Sequence, residues 1–238
     1  MKYYYINLDS AVERREQLEY EFTNNNINDF IRVEALPYSN YILPYMGEKL
    51  KNAKEQSCHR SHIKAINEFI TNSTDDYAII CEDDLVFEYS KYWRCTPDEL
   101  IKKAPADTGI IQLAIIYTPI YKQDNAWHKQ PDFFKWGTIP HVGSCLAYII
   151  TRKCGIEMLK YYESLTNRIL STADSPSGIY GNVNNNTSFT AYTYKYPIFT
   201  YRDNNNSQLE NCLNNQEASK RQVTGFLIKE YRKINKYK

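Results

Sequence analysis

No stretch of this sequence stays apolar for the ~20 residues that a membrane-crossing helix needs, so no transmembrane segment is expected. No secretory leader is readable at the start either. MKYYYINLD offers one lysine and no apolar run before its first acid. The expected location is the cytoplasm, where the six cysteines stay reduced and Asn72-Ser73-Thr74 carries no sugar. Strong net charge is missing as well. Lys and Arg total 29 against 28 Asp and Glu, a formal charge of +1, and no long basic run occurs before the last residues. That balance excludes a nucleic-acid binder held by bulk charge. There are no internal repeats.

What is present suits one large α/β domain. Of 238 residues 42% are hydrophobic, enough for a sizeable core. Residues 2–8 (KYYYINL) read as a strand, with Asp9 or Ser10 placed to cap a helix over 11–23. A second strand spans 29–36, and an irregular loop with Pro37 and Pro44 follows. Residues 53–70 bring Cys58, His62, Ala65, Ile66 and Phe69 near one helical face. Strands are expected over 77–81, 109–116, 145–150 and 194–201, and a helix over 152–165. Residues 117–138 form an aromatic-rich excursion without clear period, and the Gly- and Asn-rich 178–188 read as a mobile loop. The chain closes on a basic amphipathic helix, with Val223, Phe226, Leu227 and Tyr231 as its apolar stripe. Strands alternating with helices predict a mostly parallel central sheet flanked by helices. The expected division is a domain over 1–216 with a helix over 217–238 packed on it or appended to it.

Ligands of such sheets bind at the carboxyl ends of the strands. Three polar clusters fall at predicted strand ends: Asn7-Leu8-Asp9, Glu82-Asp83-Asp84 and Tyr201-Arg202-Asp203. The acids of YAIICEDDLVF follow a fully apolar run, so they end a central strand and point into a cleft. In an extended chain Glu82 and Asp84 project to one side and Asp83 to the other. A hard cation such as Mn²⁺ or Mg²⁺ takes oxygen ligands of this kind and can bridge a diphosphate. The alternative is a solvated strand end. Cys58 and His62 lie one helical turn apart, yet zinc needs two further ligands, and His128, His141, Cys145 and Cys81 show no such spacing. A structural histidine with satisfied hydrogen bonds is the simpler reading. A third reading has Ser61 and His62 bind a nucleotide or its phosphates. Arg14 and Arg15 are either an ordinary solvated helix face or a guanidinium turned back to a diphosphate.

Taken in order, YYINLDSAVERRE, EQSCHRSHIKAI, YAIICEDDLVF, GSCLAYIITRKCGIEML, TADSP and YPIFTYRDNNNS resemble glycosyltransferase family 25. This is the lipooligosaccharide-biosynthesis and procollagen galactosyltransferase group. The resemblance runs over about residues 3–210. It implies a GT-A fold and transfer of galactose or glucose from a UDP-sugar, with inversion and a divalent metal. It also implies a glycan or protein acceptor. By the same resemblance Asn7 and Leu8 line the nucleotide pocket, Arg14 or Arg15 approaches it, and Ser61 and His62 match the family's SH. Glu82, Asp83 and Asp84 match its EDD, with Glu82 and Asp84 as metal ligands and Asp83 on the nucleotide-sugar side. Gly143, Ala147 and Tyr148 match a strand backing the acceptor cleft. Asp174 matches the aspartate of a P-V-D segment and becomes the candidate base. Asp203 is available as a further metal ligand.

The chain departs from the pattern at Gln56, Ser57, His59 and Arg60, where apolar and glycine residues usually precede SH. Thr172-Ala173 replaces Pro-Val before Asp174. These departures keep open a catalytically degenerate nucleotide-sugar-binding or scaffold protein on the same fold. The tyrosine- and asparagine-rich composition fits AT-rich coding DNA, as in a large DNA virus or an AT-rich bacterium. A viral source would place the protein in the host cytoplasm or the virion.

Overall fold

The structure is a computed structural model that describes residues 1–37, 53–117, 127–139, 142–165, 173, 178–202 and 213–235. In chain order the elements are β1 (Lys2–Asn7), α1 (Val12–Asn24), β2 (Phe30–Glu34), α2 (Ala53–Asn72), β3 (Tyr77–Glu82), β4 (Leu85–Val86) and α3 (Pro97–Lys103). There follow β5 (Thr108–Gln112), β6 (Ile116–Tyr117), β7 (Phe133–Lys135), β8 (Val142–Gly143), β9 (Ala147–Thr151) and α4 (Arg152–Ser164). The last are α5 (Ile179–Asn186), β10 (Thr190–Tyr194), β11 (Thr200–Tyr201) and α6 (Leu213–Asn235).

A seven-stranded sheet in the order β2-β1-β3-β9-β5-β10-β7 carries the fold. Strands β2, β1, β3, β5 and β10 run one way, and β9 and β7 run against them. The α/β class with a mostly parallel sheet is therefore as the sequence predicts, with β9 inserted antiparallel at the centre. Period-2 alternation divides the sheet residues between two cores. Tyr3, Tyr5, Ile79, Cys81, Ile111 and Ile149 face one core, and Tyr4, Ile80, Ile110, Tyr148 and Ile150 face the other. Both faces are covered, which explains why YAIIC reads as a continuous apolar run. Each such buried side chain contributes about 1.5–3 kcal/mol by leaving water.

Several sequence expectations change in the fold. Asp9 and Ser10 do not cap α1. Ala11 holds that position without a side-chain bond, because Asp9 is engaged by Arg32 at 3.1 Å. The expected loop over 178–188 contains a helix, α5, whose Ile179, Tyr180 and Val183 are buried. Tyr180 donates to the Ser144 carbonyl at 2.8 Å and Asn182 donates to the Tyr162 hydroxyl at 2.7 Å. Burial and these anchors outweigh a Gly- and Asn-rich composition. The single strand expected over 194–201 is two pieces, β10 and β11, in different sheets. The aromatic excursion supplies β7, an antiparallel edge strand beside β10. Its Trp127 and Phe134 are buried in the core. Close packing explains one glycine: a Cβ on Gly109 of β5 would lie 2.6 Å from Cys154 Sγ and from Phe189 Cβ.

Candidate functional site

The carboxyl ends of β1 and β3 lie side by side, with Ile6 opposite Glu82. The apolar run ends at Glu82 because the chain turns there. Asp83 and Asp84 form the turn into β4, so the alternation of the strand ends at Glu82.

The three acids have different surroundings. Asp83 faces α1. Its Oδ2 accepts from Asn7 Nδ2 at 2.7 Å, and its Oδ1 lies 3.2 Å from Arg14 Nη1. Asn7 is buried and fully used, since Nδ2 also reaches the Ala11 carbonyl at 3.0 Å and Oδ1 accepts from Arg32 Nε at 3.0 Å. Burial raises the Asp83 carboxyl above its ordinary range, and Arg14 and Asn7 oppose that shift. Arg14 thus meets a carboxylate within the protein. Arg15, its neighbour, is half-buried and acts electrostatically on the Tyr5 phenol. Leu8 is half-buried, and its carbonyl accepts from Ala11 N at 2.9 Å.

Glu82 faces α2. Its side chain is one-third exposed, and its Oε1 lies 3.2 Å from His62 Nε2 and 3.8 Å from Cys58 Sγ. His62 is fully buried, with Nδ1 3.3 Å from the Tyr148 hydroxyl. Ser61 is also buried. It donates to the Ser57 carbonyl at 2.6 Å and accepts from Leu36 N at 2.9 Å, pinning the chain after β2 to α2. Tyr148 sits on β9 opposite Ile80, directly behind the acids.

Asp84 is the unbalanced member. Its Oδ1 is sealed from solvent and meets no hydrogen-bond partner among the described residues, although the residue as a whole is half-buried. Burial, then the charges of Glu82 and Asp83, push its carboxyl up to about 7. Its backbone carbonyl accepts from Arg202 N at 2.7 Å, which brings the end of β11 to the turn. Arg202 has two sealed guanidinium nitrogens, Nε and Nη2, which meet no partner among the described residues. A sealed carboxylate oxygen in that state is suited to a cation. Arg202 stood within a strand-end cluster in the sequence, but nothing local marked it above its neighbours.

Ser144 is a residue that sequence reasoning passed over. It is buried with φ at +118°, a conformation that costs a non-glycine residue on the order of 1–3 kcal/mol. Its Oγ accepts from Leu146 N at 3.1 Å, and the Leu146 carbonyl accepts from Glu82 N at 2.9 Å. A positive φ leaves no trace in residue type when the residue is serine. Asp174 and Asp203 lie outside the described residues.

Of the expected residues, Asn7, Arg14 and Asp83 form one network, and His62 and Glu82 form a second with Cys58 and Tyr148. Asp84 adjoins both. The sequence model described as "Glycosyltransferase family 25 (LPS biosynthesis protein)" matches residues 1–175. No curated protein gives a significant match. Among solved structures, one similar chain is a glycosyltransferase involved in glycosylation of the major capsid of PBCV-1. It has 12% identity and a TM-score of 0.40, over 70% of this chain and 66% of that one, just under two thirds. Another is a Drosophila beta-1,4-galactosyltransferase 7 mutant in complex with manganese, UDP-Gal and xylobiose. It has 10% identity and a TM-score of 0.38, over 92% of this chain and 78% of that one. The assignment rests on the family match, which spans well over half the sequence: the chain belongs to glycosyltransferase family 25.

Proposed function

We propose that this glycosyltransferase is metal-dependent and inverting, and that it moves galactose or glucose from a UDP-sugar to a hydroxyl of a glycan or protein. The observation that carries this reading is Asp84 Oδ1, a sealed carboxylate oxygen at the carboxyl end of the central strands that meets no partner among the described residues. A carboxylate kept in that state fits a divalent cation, Mn²⁺ or Mg²⁺, whose oxygen ligands would be Asp84 with Glu82 and Asp203. When bound, such a cation neutralises charge building on the departing UDP. The chain's own residues supply the rest. Asn7 and Arg14 hold Asp83, which fixes the turn and keeps Asp84 in place. Arg202, whose backbone N donates to the Asp84 carbonyl, ties the end of β11 to that turn. Asp174 is the proposed base that takes the acceptor hydroxyl's proton.

The test is release of UDP from UDP-glucose, UDP-galactose and their N-acetyl forms in the presence of Mn²⁺. Turnover should fall by at least about a thousandfold in Asp84→Ala. Wild-type turnover in that variant overturns the metal assignment, and unchanged transfer in Asp174→Asn overturns the base. A second reading, a nucleotide-sugar-binding protein without catalysis, is favoured by one observation. The Ser61 hydroxyl and Arg14 are already taken up by internal partners. Calorimetry that finds UDP binding, with no turnover on any donor, supports that second reading.

A further inference from the structure

The group formed by Cys58, His62 and Glu82 is not explained by a diphosphate-bridging cation. Cys58 and His62 stand one turn apart on α2, and Glu82 ends β3. One ligand atom from each lies within 4.8 Å of the others. Bond lengths of about 2.0–2.3 Å for zinc set tetrahedral ligand–ligand separations of about 3.3–3.7 Å. The observed Nε2···Oε1 and Sγ···Oε1 distances, 3.2 and 3.8 Å, lie close to those separations. We infer that Cys58, His62 and Glu82 form a three-ligand zinc site, which shares Glu82 with the cation proposed at Asp84.

Donor chemistry selects the metal. Magnesium and manganese prefer all-oxygen sets, whereas a thiolate with an imidazole suits zinc. Thiolate and carboxylate together carry two negative charges, so Zn²⁺ leaves a neutral cluster in a partly buried place. Cys58 gives up its proton on binding. The imidazole is prepared for the role. For Nε2 to present its lone pair, Nδ1 must carry the proton, and the Tyr148 hydroxyl 3.3 Å away can accept it. His62 is closed to solvent, while Cys58 and Glu82 are half-exposed. The fourth position therefore opens on the solvent side of Cys58 and Glu82, as in sites that bind water or substrate. The sequence hid this site because its third ligand is a carboxylate on another element, twenty residues after His62.

The inference does not depend on the transferase reading, since its test reads metal content and spectrum. The purified full chain is stripped with a chelator, resupplied with zinc chloride, dialysed and assayed by atomic emission. The expected result is about one zinc per chain, with loss of about tenfold or more in Cys58→Ala and His62→Ala. His128→Ala, which alters a histidine outside the cluster, should keep its zinc. Cobalt in place of zinc should give a thiolate-to-cobalt charge-transfer band in the wild type. That spectrum tests the thiolate even if a variant fails to fold. Wild-type protein that holds no zinc, zinc unchanged in Cys58→Ala, or cobalt bound without the charge-transfer band overturns the site.

Discussion

Asp84 Oδ1 is sealed from solvent and meets no partner among the described residues, and an unmet buried polar atom costs on the order of 1–3 kcal/mol, more when charged. Burial and the neighbouring acids raise this carboxyl, so its ionised form is held against the protein's own electrostatics. Asp84→Asn should therefore stabilise the metal-free protein by about 1–2 kcal/mol at pH 8, measured by urea unfolding in chelator. The same variant should lose UDP release. A destabilised Asp84→Asn would show that the carboxylate is compensated within the chain. The sequence marked the acid triplet but extended the strand through it. Glu82 and Asp84 were expected on one side because strands alternate. The strand stops at Glu82, and a turn residue obeys no such rule.

The carboxyl end of α2 shows how one element secures another. Its last carbonyls have no helical partners. Arg152, the first residue of α4, meets them: Nη1 donates to Ile70 O at 3.0 Å, Nη2 to Phe69 O at 3.3 Å and also to Ser73 O, and Nε to Asp75 O at 2.8 Å. Arg152→Ala should cost about 3 kcal/mol, since several carbonyls lose a charged donor together. Arg152→Lys should recover less than half of it, because an ammonium cannot fan across them. Chemical denaturation of both variants measures this. At the neighbouring edge, Asp107 accepts from Thr190 Oγ1 at 2.7 Å and Tyr192 OH at 3.0 Å, tying the approach to β5 onto β10. These bonds hold its carboxyl below the ordinary 3.8. A lowered acid stabilises the fold above its unfolded value and loses that contribution as pH falls through the folded one. Thermal melts should show wild type losing more stability than Asp107→Asn as pH drops below about 4. None of these ties was legible in the sequence. Arg152 read as the start of a helix, and Asp107 fell outside the expected elements.

Across the whole molecule, α6 decides whether the chain unfolds as one unit. Val223 and Leu227 are buried. Phe226 packs edge-on to Trp127 with centroids 4.6 Å apart and stacks on Tyr196 at 5.6 Å. Tyr89 meets Thr224 at 3.1 Å, Lys220 pairs with Glu88 at 2.9 Å and Arg94 with Glu230 at 2.8 Å. We predict that Leu227→Ala costs about 2–4 kcal/mol and that wild type unfolds in a single transition by both circular dichroism and tryptophan fluorescence. Separate transitions would make α6 an appended helix. Among the described residues no helix is long and apolar enough to cross a membrane.

The sequence by itself determined the α/β class, most strands and helices, the acids at a central strand end and the family. These follow from periodicity and residue type, which act over a few neighbours. Tertiary structure alone decided that β9 runs antiparallel between β3 and β5, that a Gly- and Asn-rich segment becomes α5, and that Glu82 turns to Cys58 and His62 while Asp83 turns to Asn7 and Arg14. Those outcomes depend on which distant surfaces meet and which polar atoms are sealed when they do. A carboxylate's partners are fixed only once the sheet and its covering helices have closed around it.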